Sequence, residues 1–171
     1  MSRISVRNGV AELLASLVDD SGGPMFRAVY SVMPTRIDKT LTPAAFVMLP
    51  KHNRRRYGPN QKHADYIGQA RVMYAAPSVG WESPAAGQTL WETPAGEPQA
   101  AFDEWLDTFA RALEQNKHFP QNQPEAGVQT IQIGEGGDGI DIVTSEPELE
   151  ANLLVLSALV SFPIAEQILG V

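Results

Sequence analysis

The chain has 171 residues, 43% of them hydrophobic and 19% charged, a composition that predicts one globular domain over residues 1–171 with a substantial apolar core. It contains no cysteine, which excludes disulfide bonds, thiolate metal sites and thiol catalysis. The net charge of −7 is unevenly distributed. Eleven basic and five acidic residues give residues 1–75 a charge of +6, whereas two basic and fifteen acidic residues give residues 76–171 a charge of −13.

Two segments indicate the expected cellular location of the protein. Met1 to Arg7 is polar, so no signal peptide is expected. The longest apolar run, Leu153 to Phe162, is shorter than the ~20 residues that a membrane-spanning helix needs. We therefore expect a protein that is made in the cytoplasm and has no membrane partner.

The first predicted element is a helix over Val6 to Val18. Its apolar residues recur every three or four positions and so form one stripe. The polar, glycine-containing segment Asp19 to Pro24 ends the helix.

Three strands are predicted next. Met25 to Met33 and Gln69 to Ala75 alternate between apolar and polar residues, as a half-buried strand does. Ala44 to Leu49 is a short apolar run between two prolines, which is typical of a buried strand.

Two long loops are predicted around the third strand, over residues 51–68 and 76–98. The first is rich in Arg, Asn, Gln and His, and the second in Pro, Gly and Ala. The second loop contains a repeat, because Trp81 to Ala85 and Trp91 to Ala95 have nearly the same sequence. Two matched arms of a hairpin-like insertion explain this repeat most simply.

The second half of the chain predicts one helix and three strands. The helix contains an aromatic stripe from Phe102 to Leu113. The strands are Val128 to Ile133, Ile140 to Thr144 and Asn152 to Ala165, of which the last has one apolar face. The predicted fold class is α+β: a mostly antiparallel β-sheet covered by two amphipathic helices, with two long loops.

The sequence contains no local motif for catalysis or for a cofactor, and we expect none of the usual metal sites. The three histidines have no partner at ligand spacing, and a zinc site needs three or four converging ligands. Gly136 to Asp141 matches one copy of a calcium-binding repeat, but a single copy predicts a hairpin turn instead. A small hydrolase with a non-local site stays open, because catalytic triads are spatial arrangements.

Two groups of residues are candidate contact sites. The first is the basic part of the 51–68 loop, which contains no acidic residue up to position 64: Lys51, Arg54, Arg55, Arg56 and Lys62. These residues are either simply solvated or contact nucleic acid phosphates or an acidic surface of another subunit. The second group is Trp81 and Trp91, which either cover the protein's own core or anchor a neighbouring subunit.

The order of elements resembles the tail terminator proteins of tailed bacteriophages and the related head–tail joining (neck) proteins. The matching segments are Val6 to Val18, Met25 to Met33, Ala44 to Leu49, Gln69 to Ala75, Ala101 to Gln115 and Glu150 to Ala165. The closing stretch Glu150 to Ile164, with its alternating apolar face, looks most like the last strand of that family. The insertion at 76–98 departs from the minimal pattern.

The resemblance implies a structural virion protein of the phage tail or neck that is assembled in the host cytoplasm. Family members form a hexameric ring that caps the tail tube and joins it to the head. The implied partners are therefore other copies of the chain, the tail tube protein and a head-completion or other neck protein. DNA is only passing cargo, and no cofactor or reaction is implied. The alternatives are the small hydrolase and a monomeric bacterial module that binds proteins through the basic loop or the Trp-containing arm.

Overall fold

The computed structural model describes residues 3–58, 61–77, 96–116, 128–131, 139–150 and 153–169. Its first element is helix α1 (Arg3–Ser16), which confirms the predicted N-terminal helix. The stripe seen in the sequence is its buried face: Val6, Val10, Leu13 and Leu14 are all inaccessible to solvent or nearly so. Burial of each such side chain contributes roughly 1.5–3 kcal/mol, so packing on the sheet holds this helix in place.

A tight turn follows α1 and is organised by Asp19. Its Oδ1 accepts hydrogen bonds from the Ser21 N–H at 2.9 Å, the Ser21 hydroxyl at 2.5 Å and the Gly23 N–H at 3.0 Å. Gly22 has a φ of 81°, a conformation that suits glycine. The turn ends with the Met25 N–H donating to the Leu17 carbonyl at 3.0 Å, so the chain reverses onto the sheet.

Strand β1 (Ala28–Tyr30) is shorter than the predicted Met25 to Met33, and it runs parallel to β2 (Ala44–Gly58). Parallel neighbours need a long connection. Residues 31–43 provide it and include a short 3-10 turn at Lys39–Leu41. Thr42 fixes this turn, because its hydroxyl donates to the Lys39 carbonyl at 3.0 Å and accepts from the Ala75 N–H at 3.2 Å.

Three long strands form the centre of a seven-stranded sheet. β2, β3 (Gln61–Pro77) and β7 (Leu153–Leu169) lie side by side and antiparallel. Along its other edge β7 pairs in succession with three short strands: β4 (Val128–Ile131), β5 (Asp141–Thr144) and β6 (Glu148–Glu150). The strand order is β1-β2-β3-β7, followed by these three.

The core lies between one face of the sheet and the two helices. Helix α2 (Gly96–Gln115) contributes the predicted aromatic stripe, and Phe109 is fully buried. The Phe109 ring packs edge-on against Phe26, with centroids 5.2 Å apart, and Phe102 stacks on Tyr74 of β3. The matching sheet face is formed by alternate residues of the long strands, such as Val72 of β3 and Leu156 of β7.

The pairing of β2 with β3 is interrupted by a bulge opposite Gly68. Met48 pairs with Gln69 and Lys51 with Ile67, so β2 has one residue more than β3 in this interval. A Cβ atom at Gly68 would lie 2.7 Å from the buried side chains of Phe162 and Ile164. These two β7 side chains therefore occupy the space above the Gly68 backbone.

The fold class is α+β, as predicted, with two helices and one sheet. The sheet is mixed, however. Of the six strand pairings in the described part of the chain, five are antiparallel, and the β1–β2 pairing is parallel. β6 was not predicted. Because β6 contains only three residues, too few for an alternating pattern, the sequence carries little signal for it.

Candidate subunit-contact surfaces

The structure corrects the predicted loop at 51–68. β2 continues to Gly58 and β3 begins at Gln61, so most of this segment is an antiparallel hairpin. Polar runs without apolar alternation are typical of loops, which is why the sequence suggested one. A β-ladder, however, is formed by backbone groups, and here β3 is held on its other side by β7 along its whole length.

The hairpin places the five basic candidates on two neighbouring strands. Lys51, Arg54, Arg55 and Arg56 lie on β2, and Lys62 lies on β3 at the position opposite Arg56. The backbone register thus brings all five into one part of the sheet. His52 and His63 lie in the same hairpin.

For most of its length β2 lies at an edge of the described sheet. β1 pairs only with Ala44, Ala45 and Phe46, and among the described strands none accompanies β2 on that side beyond Phe46. The basic residues of β2 therefore lie on an edge strand. Over Ala44–Gly58 the strand contains four basic residues and no acidic one.

The second predicted loop, over residues 76–98, is shorter in the structure than predicted, because regular elements extend into both of its ends. Ala76 and Pro77 belong to β3, and α2 begins at Gly96. The remaining predicted contact residues, Trp81 and Trp91, lie outside the described residues, as do His118 and most of the glycine-rich turn before Gly139.

The opposite edge of the sheet is acidic, a feature that the sequence analysis had not located. Residues 139–150 contain four acidic residues and no basic one, and they supply β5 and β6. Asp141, Glu146 and Glu148 are exposed, and Glu150 forms an ion pair with Lys39 of the 3-10 turn. The pattern Glu148-Leu149-Glu150 could have indicated this acidic segment in the sequence, but its position at an edge of the sheet depends on the pairing with β7.

A second acidic surface lies on the outward side of α2. Asp103, Glu104, Asp107 and Glu114 are exposed, with Arg111 the one basic residue of the described helix. These side chains alternate with the buried aromatic stripe, as expected for a helix that covers a sheet.

Two carboxylates have perturbed acidity. Hydrogen bonds from the Ser21 hydroxyl and then from the Gly23 N–H lower the pKa of Asp19, and hydrogen bonds from the Thr40 hydroxyl and N–H lower the pKa of Asp38. Both groups organise turns. In the described ranges of the chain, no three His, Asp or Glu side chains are grouped as a metal site would require. Neither described helix is long and apolar enough to cross a lipid bilayer.

Comparison with known proteins adds no assignment. The sequence matches no protein family model, and it has no significant similarity to a protein of curated function.

Proposed function

We propose that this chain is a structural assembly protein that forms a ring of identical subunits, as the tail terminator and neck proteins of tailed phages do. The proposal has two supports. One is the order of elements described above, including a long closing strand with one apolar face. The other, which carries the proposal, is the separation of charge onto opposite edges of one sheet.

The two edges carry equal and opposite formal charge. β2 has four basic residues and no acidic one, and residues 139–150 have four acidic residues and no basic one. β3 and β7 lie between β2 and β5. At about 4.8 Å per strand the two edges are about 14 Å apart, so they attract each other only weakly within one molecule.

Charges of this arrangement are complementary between copies. The basic edge of one subunit meets the acidic edge of the next. The resulting pair still has one free basic edge and one free acidic edge, so further subunits can add in the same way. Repetition of such a head-to-tail contact closes into a ring or extends into a filament. A ring of six around the tail axis is the state expected from the resemblance, with the tail tube protein on one side and a neck protein on the other.

The first experiment measures assembly directly. Native mass spectrometry and light scattering of the purified chain, over a wide range of concentration at low salt, should show a closed oligomer, with six subunits as the expected number. Electron microscopy of the chain mixed with tail tubes of the phage that encodes it should show the chain at one tube end. A strict monomer that also leaves the tubes bare would overturn the proposal and favour the monomeric binding module.

A further inference from the structure

The basic residues of β2 lie towards one end of the sheet. Through the pairings with β3, Lys51 is level with Pro163 of β7, and Arg56 is level with Ile168. None of the described strands accompanies β2 on its outer side at this level, because β1 pairs only with residues 44–46. Residues 51–56 of β2, called the basic segment below, therefore lie at an edge that no described strand covers.

The acidic residues of the opposite edge lie nearer to the other end of the sheet. Asp141 of β5 is level with Ser161 of β7, and Glu148 of β6 is level with Val155. Both acidic side chains are exposed, as is Glu146 between them. Compared with the basic segment, these residues lie seven or eight positions nearer to the start of β7, a distance of about 25 Å along the strands.

Two copies placed side by side without a shift along the strands do not bring these charges together. The residue level with Asn53 on the far edge of the sheet is Thr130 of β4, and β4 (Val128–Ile131) contains no charged residue. Residues 44–46 of β2, which are level with β5, already pair with β1. An unshifted contact would therefore place the basic segment beside neutral residues and the acidic edge against β1.

A shift of the second copy along the strands removes both obstacles. β2 runs opposite to β5 and β6, because successive neighbours across the sheet are antiparallel. A shift of seven or eight residues therefore brings Lys51 level with Glu148 of the second copy. The same shift brings Arg56 level with Asp141. β1 of the first copy then lies beyond Leu153, where β7 of the second copy begins, and no longer obstructs the contact.

From this geometry we infer that neighbouring subunits of the assembly are staggered. The basic segment of one copy lies beside β5 and β6 of the next, with the two copies displaced by about 25 Å along the strands. The occupant of the basic edge is thus a second copy of this chain. The inference rests on the proposed self-assembly and deepens it, because it specifies which residues meet. The contact is electrostatic and is weakened by added salt.

The absence of cysteine allows a direct test by cross-linking. Three variants carry one thiol each: Asn53→Cys in the basic segment, Ser145→Cys between β5 and β6, and Thr130→Cys on β4. The stagger brings Asn53 level with Ser145 of the next copy, whereas an unshifted contact brings it level with Thr130. With a short bis-maleimide reagent, Asn53→Cys mixed with Ser145→Cys should give cross-linked dimers, and Asn53→Cys mixed with Thr130→Cys should not.

The three replaced residues are neutral, so these variants keep every charge of the contact. Each variant alone should assemble as the unmodified chain does and should give no cross-linked dimer. Circular dichroism and light scattering of each variant check its folding and its assembly before the mixtures are compared.

An exchange of charge at one pair tests which residues meet. Lys51→Glu should weaken association of the subunits about two- to fivefold, because two acidic residues then meet at Glu148 of the next copy. Glu148→Lys in the same chain should restore association, since the pair again has opposite charges. Asp141→Lys combined with Lys51→Glu is the matched control. It should weaken association further, because Asp141 lies beside Arg56. Light scattering at low salt measures these changes.

The outcomes separate this inference from the proposed function. If the unmodified chain forms an oligomer but Asn53→Cys cross-links to Thr130→Cys, or to neither variant, the stagger is wrong and the assembly function stands. The stagger is also wrong if Asp141→Lys compensates for Lys51→Glu as well as Glu148→Lys does. If the chain neither assembles nor binds tail tubes, both the inference and the proposed function fail.

Discussion

Asp19 illustrates how much of the local structure depends on one side chain. Its carboxylate accepts three hydrogen bonds that close the turn between α1 and β1, and these bonds lower its pKa below the ordinary value of 3.8. Because the pKa is lower in the folded state, the charged form favours folding. This contribution is complete above about pH 5 and disappears as the pH falls through the folded pKa.

We therefore expect Asp19→Asn to be less stable than the unmodified chain at neutral pH, with a difference that shrinks as the pH falls below about 5. Asparagine keeps the acceptor oxygen, so the comparison isolates the charge. Urea unfolding at several pH values measures the difference. Asp20→Asn, at an exposed neighbour, controls for the loss of one negative charge. A constant difference between pH 7 and pH 2 would contradict the assignment.

At the scale of elements, the close packing of β3 against β7 depends on Gly68. Phe162 and Ile164 of β7 are each 1% exposed and leave no room for a Cβ atom at this position. Gly68→Ala should lower the free energy of unfolding by about 1–3 kcal/mol, because buried side chains must leave their preferred positions.

Chemical denaturation measures this change, and Gly139→Ala is the matched control. No atom of the described residues lies within 4 Å of a Cβ atom built at Gly139, and the φ of Gly139 is not in the left-handed region. This substitution should therefore change stability by no more than about 0.5 kcal/mol. If the two substitutions lowered the free energy of unfolding equally, β3 and β7 would be able to separate at Gly68 at little cost in free energy, and the prediction would be wrong.

At the scale of the whole molecule, the arrangement of charge predicts how variants assemble. Arg54→Glu, Arg55→Glu and Arg56→Glu together make both edges acidic, and Asp141→Lys, Glu146→Lys and Glu148→Lys together make both edges basic. Each triple variant alone should assemble poorly at low salt, because like charges meet at every contact. An equal mixture should assemble again, since each basic edge then meets an acidic one.

Light scattering of the two variants and of their mixture tests this prediction, and added salt should weaken the mixed assembly. Arg71→Glu with Arg111→Glu, which changes charge at exposed positions on the central strand β3 and on α2, should leave assembly unchanged. If the triple variants assemble as the unmodified chain does, edge charge does not drive the contact.

The regular parts of the fold were predictable because they bury apolar residues at a fixed period. The stripe of α1, the aromatic stripe of α2 and the alternating residues of β7 each identified an element of the correct type. The hairpin at 51–68 was not predictable, because a polar strand carries no periodic signal and is specified by its neighbours. The parallel placement of β1 likewise depends on the path of residues 31–43.

The residues alone were enough to derive the two helices, the long closing strand, the absence of thiol chemistry and the separation of charge between the two halves of the chain. The positions of those charges in space follow from the fold. The strand order places the basic segment on one edge of the sheet and the acidic residues 139–150 on the other. The physical reason is that strand pairing joins residues far apart in sequence, so the edges of a sheet are properties of its topology.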